Sequence, residues 1–203
     1  PPDEKKIYKN QPYQLSKLAK LSVLPDSWKN RTLQSIMYNL RIDDNEFNNN
    51  LPLSKTFDWH YKDSLVPEKN TSKNYNKQNM GKLDVVFDPL LINTKSTKNS
   101  PAKALGIIFL SHLLADAHQP MHAMTKILDQ KLDKGGNRFC LQKASKLTEH
   151  CTYNLHSYWD SGAKTLHAKQ NLAELQKQIL TKHPRKSFSN QLKVQQVDPW
   201  LNE

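Results

Sequence analysis

The chain is poor in the residues and patterns that mark several large protein classes. Among its 203 residues there are 5 glycines and 2 cysteines. No run of 18 apolar residues occurs, so no membrane-spanning helix is readable. No apolar segment stands at the N-terminus, so any signal peptide is expected to have been removed already. No repeat of 20–50 residues is visible, which argues against solenoids and propellers. Acidic residues are also short: 19 against 30 Lys and Arg, for a formal net charge of +11 and a pI near 9.5. That balance means either a solubilising surface or a polyanionic partner, nucleic acid or an anionic membrane surface. The length suits one domain, residues 1–203, with a full core.

Strand signals are few and most apolar positions recur at three and four, which predicts an all-α, multi-helix domain with long polar loops. Helices are expected over residues 12–24, ended by Pro25-Asp26, and over 27–40, opened by Ser27 as a cap. Residues 102–119 are apolar nearly all round and should form the central buried helix, ended by Pro120. Two more helices are expected over 153–164 and 171–182. The Asn-rich stretches 43–56 and 66–80 read as loops. Asn30-Arg31-Thr32 and Asn70-Thr71-Ser72 fit the glycosylation acceptor pattern, which matters only in a eukaryotic secretory host. Cys140 and Cys151 lack C-x-x-C spacing. Bridged, they pin the loop that carries Asn137 and suit an exported, oxidised protein; the other reading is two free buried thiols.

What the chain does have is His112-x3-Asp116-x5-His122, then His156-x3-Asp160, with Gly135-Gly136-Asn137 between them. Residues four apart share one helix face, so each His/Asp pair can grip one cation. Imidazole and carboxylate donors without thiolate suit zinc in an open, hydrolytic site. Asp116 interrupts an apolar helix, and a buried carboxylate needs a cation or several donors. His118 falls on another face, where packing or support of a ligand is the expectation. His150, His167 and His183 have no spacing partner and read as surface residues.

Phe109-Leu110-Ser111-His112 through Asp116-Ala117-His118-Gln119-Pro120-Met121-His122 resembles the central signature of the S1/P1 nucleases. Gly135-Gly136-Asn137 and Asn154-Leu155-His156-Ser157-Tyr158-Trp159-Asp160 resemble the next two motifs. Trp59-His60-Tyr61 resembles a fourth, and Leu24-Pro25-Asp26 a weaker fifth. The matches run in the family's order from about residue 20 to 160. Zinc phospholipases C share the fold and metal layout, but the Gly-Gly-Asn and Asn-Leu-His-x-x-Trp-Asp runs favour the nucleases.

The resemblance implies a phospholipase C/P1 nuclease-like fold with three zinc ions. Asp26, His60, His112 and Asp116 would hold the first, and His122, His156 and Asp160 the second. Asp116 would reach on to the third, which the family completes with its N-terminal tryptophan and a following histidine. This sequence begins Pro1-Pro2-Asp3-Glu4-Lys5 and has no histidine before His60, so it reads as the family domain trimmed at both ends, or as a short variant. The resemblance also implies hydrolysis of single-stranded DNA and RNA to 5′-phosphorylated nucleotides, with 3′-nucleotidase action beside it. Asp116 and Asp63 are the expected catalytic carboxylates, and Asn137, Tyr61 and Lys62 the expected substrate contacts. A secreted or periplasmic monomer without stable membrane association is expected. The competing readings are a zinc phospholipase C and a catalytically silent basic binding protein.

Overall fold

The computed structural model describes residues 17–47, 51–52, 54–66, 80–128, 131–142, 151–162, 172–190, 193 and 197–201. In chain order the helices are α1 (Lys17–Leu21), α2 (Leu24–Trp28), α3 (Leu33–Asn39), α4 (Leu83–Ser96), α5 (Ser100–Ala117), α6 (Pro120–Ala123), α7 (Leu155–Asp160), α8 (Leu172–Lys182) and α9 (Val197–Leu201). Single 3-10 turns occupy Asp44–Phe47, Thr56–His60 and Arg185–Phe188. Three short strands are β1 (Ser64–Val66), β2 (Met124–Leu128) and β3 (Lys131–Leu132). The fold is mostly helical, as the apolar spacing predicts.

The core is the seam between α4 and α5. In α4, Leu83, Val86, Phe87, Leu90, Asn93 and Thr94 are buried, the three-and-four spacing of one helix face. Gly106 of α5 lets the two helices touch, since a Cβ there would lie 2.0 Å from Thr94 Oγ1. Phe109 is the aromatic centre, with Trp59 at 5.3 Å and Trp28 at 5.7 Å between ring centroids. Those rings tie the Thr56–His60 turn and α2 onto α5, and so bring His60 and Asp26 towards His112 and Asp116.

Several sequence expectations change. Pro25 does not end a helix; it stands in the first turn of α2, where its missing N–H has no intrahelical partner to lose. Ser27 is no cap: its hydroxyl donates to the Leu24 carbonyl at 2.7 Å. The cap of α3 is Thr32, whose Oγ1 accepts from Ser35 N. Helix α5 begins at Ser100, capped by Asn99, with Pro101 in its first turn. It is buried along one stripe rather than all round, because α4, α2 and the 56–60 turn cover one side; Ile107 and Leu114 on the other are each 42% exposed. Pro120 stops α5 but opens α6. Within 43–56, Phe47, Leu51 and Thr56 are buried, so that stretch is anchored in the core at both ends. Of 66–80 only Val66 and Met80 belong to the described residues; Asn70 does not, and neither do His150 and His167.

The sheet was not anticipated. β1 runs parallel to β2 with Ser64 opposite Met124, and β2 turns antiparallel into β3 with Ile127 opposite Leu132. Its role is positional: it ties the chain after His60 to the chain after His122, and Lys62 N donates to the His122 carbonyl at 2.8 Å.

Candidate metal centre

Side chains from three separate stretches meet at one end of α5. Asp26 comes from α2, His60 from the 56–60 turn, and His112 and Asp116 from successive turns of α5. His112 Nε2 lies 3.0 Å from His60 Nδ1, 3.2 Å from Asp116 Oδ2 and 3.5 Å from Asp26 Oδ1. His60 Nδ1 lies 3.0 Å from Asp116 Oδ2 and 3.8 Å from Asp26 Oδ1. One donor atom from each of Asp26, His60 and His112 falls within 4.8 Å of the others.

A second group forms beside it. His122 sits on α6, and His156 and Asp160 on α7. Their donor atoms also lie within 4.8 Å of one another. His122 Nε2 is 3.9 Å from Asp160 Oδ1 and His156 Nε2 is 3.6 Å from Asp160 Oδ2. The two rings stack with centroids 4.8 Å apart. Asp116 stands between the groups: Oδ2 faces His60 and His112, and Oδ1 lies 3.5 Å from His122 Nδ1.

The rings are oriented by backbone. His112 Nδ1 donates to the Ser22 carbonyl at 2.7 Å, His122 Nδ1 to the His60 carbonyl at 2.5 Å, and His156 Nδ1 to the Gly135 carbonyl at 2.8 Å. Each bond fixes the ring's orientation and, in the neutral ring, leaves the lone pair on Nε2, the arrangement seen for imidazole ligands. His60 is reversed. Its Nε2 is buried without a hydrogen-bond partner, so Nδ1 is its outlet into the cluster.

Charge in the first group fits a cation. Burial works to raise Asp116, but hydrogen bonds from His112 and His60 outweigh it and hold the carboxyl down at about 2. Asp26 is likewise opposed by burial, yet His112 and Lys29 hold it far below the ordinary carboxylate range. Burial opposes the charge on His112, but Asp116 and Asp26 prevail and lift it to about 9. The carboxylates thus retain one positive charge among imidazole nitrogens that offer a divalent cation its ligands. His60 and His156 are pushed down by burial, which keeps them neutral as ligands must be. Asp26 and Asp160 are 54% and 51% exposed against 12% for Asp116. Both groups are therefore open on the solvent side, as a hydrolytic site requires and a structural one does not.

The open side faces a cleft of about 650 Å³, lined in part by His60, Tyr61, Asp63, His122, Asn137 and His156. Tyr61 is half-buried, with Phe57 edge-on at 6.0 Å. Burial, then Asp58 and Asp63, push its phenol up to about 12, so it stays a hydrogen-bond donor. Asp63 is pushed up to about 7, first by burial and then by Asp133. Asn137 is exposed, and its Nδ2 donates to the Lys134 carbonyl at 2.9 Å. Lys62 is not among the described lining residues; its ammonium pairs with Asp84 at 2.7 Å. His118 is exposed, bonds the Leu114 carbonyl and lies 5.3 Å from Trp200. His183 is exposed beside Phe188.

Cys140 and Cys151 are disulfide-bonded. The bond lies beside the Cys140–Asn154 bridge, and Asn154 caps α7 through a capping box with Ser157. The pairing therefore anchors the helix that carries His156 and Asp160.

Sequence reasoning missed Gln119. Its Oε1 caps α6 by accepting from Met121 N, and its Nε2 donates to Asp160 Oδ1 at 2.9 Å. Its position just before a helix-opening proline was the available signal. Lys29, which pairs with Asp26 at 2.8 Å, was also missed.

A family model described as S1/P1 Nuclease matches residues 3–203. No curated protein matches the chain.

Proposed function

Because the chain belongs to the S1/P1 nuclease family, we propose that it is a metal-dependent phosphodiesterase acting on single-stranded DNA and RNA. The products would be 5′-phosphorylated nucleotides, with 3′-nucleotidase action at the same site. The reading rests most on one observation: two His/Asp groups, sharing Asp116, open onto one cleft. Zinc suits their imidazole and carboxylate donors, and bound cations there would supply Lewis acidity and a lowered pKa for water.

Asp26, His60, His112 and Asp116 would hold one cation, and His122, His156 and Asp160 the other. The Ser22, His60 and Gly135 carbonyls keep the rings aimed. Gln119 holds Asp160 in place. Tyr61 offers a ring against which a base of any identity can stack, which suits unpaired strands. Asn137 presents its amide at the cleft for phosphate or base. Asp63, which titrates near neutrality, can give or take a proton there. Lys62, engaged by Asp84, would act through its field rather than by contact. A third ion would need N-terminal residues, and residues 1–16 lie outside those described.

The match over residues 3–203 supports one nuclease domain. The disulfide supports an oxidising location, secreted or periplasmic. No helix among the described residues is long and apolar enough to cross a membrane. We read the protein as a monomer.

The test is cleavage of single-stranded against double-stranded DNA, and of RNA, with and without chelator, with zinc added back. Zinc-restored cleavage of single strands supports the reading. Hydrolysis of phospholipid with DNA left intact would replace it with the phospholipase, and salt-dependent DNA binding without turnover would replace it with a binding protein.

A further inference from the structure

We propose that Lys134 is a substrate-contacting residue that takes the phosphate next to the one being cleaved, so that the cleft grips a strand and not a lone phosphodiester. This rests on the nuclease reading above.

Three observations converge on Lys134. The first is charge. Lys29 and Lys134 are the lysines among the described lining residues of the cleft. Lys29 is neutralised by Asp26 at 2.8 Å, whereas Lys134 is exposed and has no acidic partner among the described residues. The phosphate under attack must sit at the two His/Asp groups. A strand that continues past them brings one further negative charge per nucleotide, and Lys134 is the lysine left to meet it.

The second is backbone. Lys134 has φ +54°, one of two non-glycine residues with positive φ among those described. A residue with a Cβ gives up about 1 kcal/mol there relative to glycine. Glycines follow at 135 and 136, so glycine would serve the turn equally well; keeping a lysine in that conformation points to a use for its ammonium.

The third is rigidity. Buried Asp133 accepts from Thr125 Oγ1 at 3.1 Å and Lys126 N at 2.9 Å. Gly135 N donates to Thr125 Oγ1 at 3.1 Å. The Lys134 carbonyl accepts from Asn137 N and Nδ2. The next carbonyl, Gly135, orients His156. Lys134 is therefore anchored at a fixed offset from a proposed metal ligand, as a residue that sets strand register must be.

The experiment compares wild type, Lys134→Gln, Lys134→Gly and Lys134→Arg on thymidylyl-thymidine, which has one phosphate, and on a short oligothymidylate, over a range of salt. Glycine fits the backbone, so Lys134→Gly melts no lower than wild type. With Gln or Gly, KM for the oligomer rises on the order of fivefold, and the salt slope of kcat/KM flattens by about 0.7, one phosphate contact. The dinucleoside rate stays at wild type, and Arg restores the oligomer. If wild type cleaves neither substrate, the nuclease reading fails first. If wild type cleaves both and the variants match it on the oligomer, Lys134 has no such role. Equal losses on both substrates put Lys134 on the cleaved phosphate and overturn the neighbouring-phosphate assignment.

Discussion

His112 Nε2 and His60 Nδ1 face each other at 3.0 Å, with Asp116 Oδ2 within 3.2 Å of both. That is the separation of an N–H···N hydrogen bond, with one proton between the two rings. In the protein alone Asp116 and Asp26 favour a further proton on His112, up to about 9, against the pull of burial. A divalent cation would take its place.

Asp116→Asn tests this relationship. The amide is close in shape to the carboxylate but removes the charge that both groups share. Cleavage should fall by about a hundredfold or more, with the metal content reduced. In the metal-free protein the His112 resonance should titrate lower than in wild type. Wild-type metal content together with wild-type rates would remove Asp116 from the centre.

Metal removal should also loosen the fold. The first group joins α2, the 56–60 turn and α5, and the second joins α6 to α7. Cations that bind only the folded state stabilise it by mass action, about 4 kcal/mol at a thousand times Kd. For a chain of this size chelation should lower the melting temperature by roughly 10 °C. Mass spectrometry under native conditions should show two bound zinc ions from the groups described. Cation uptake near neutral pH should release protons, chiefly from His112, and calorimetry in buffers of different ionisation enthalpy would measure them. An unchanged melting curve after chelation counts against the metal reading.

Local spacing made part of this legible. His112 with Asp116, and His156 with Asp160, are one turn apart and do share a helix face. The partners from distant chain were not readable from spacing: Asp26 and His60 were assigned through resemblance alone, whereas His122 stood out beside Asp116 and only its place in the second group came from the resemblance. Helix α4 escaped notice because Pro89 lies inside it. Proline there removes one amide bond, to the carbonyl of Val85, which sits on the exposed side of the helix. The same residue type misled at Pro25, where it opens a helix. The sheet was missed because its strands are two to five residues long, too short for alternation to register. They are held by position between the segments that carry His60 and His122 rather than by their own pattern.

Gly135→Ala should separate the two groups. Gly135 has φ +59°, and a Cβ would fall 2.3 Å from the Met121 carbonyl oxygen. The turn must shift, and with it the carbonyl that accepts from His156 Nδ1. A stability loss of about 1–3 kcal/mol is expected. Metal content should fall from two ions to one, since Asp26, His60 and His112 do not contact the turn in any hydrogen bond described. Retention of both ions would mean that the Gly135 carbonyl does not hold His156 in place.

Asp63 gives a pH signature independent of metal content. Burial, and then Asp133, raise it to about 7 from an ordinary value of 3.8. Between those values the folded protein keeps a proton that the unfolded chain has lost. Stability tied to Asp63 is therefore fully present below 3.8 and is lost as pH rises through 7. Asp63→Asn removes the titration, because the amide stays neutral throughout. Near pH 4 its melting temperature should match wild type closely, and above pH 7 it should exceed it, with the gap opening between. Melting curves at several pH values check this in metal-free protein. If Asp63 also moves a proton during turnover, kcat in the variant should lose its dependence on pH around 7. A parallel pH–stability profile for the two proteins would show that Asp63 ionises in the fold as it does in water.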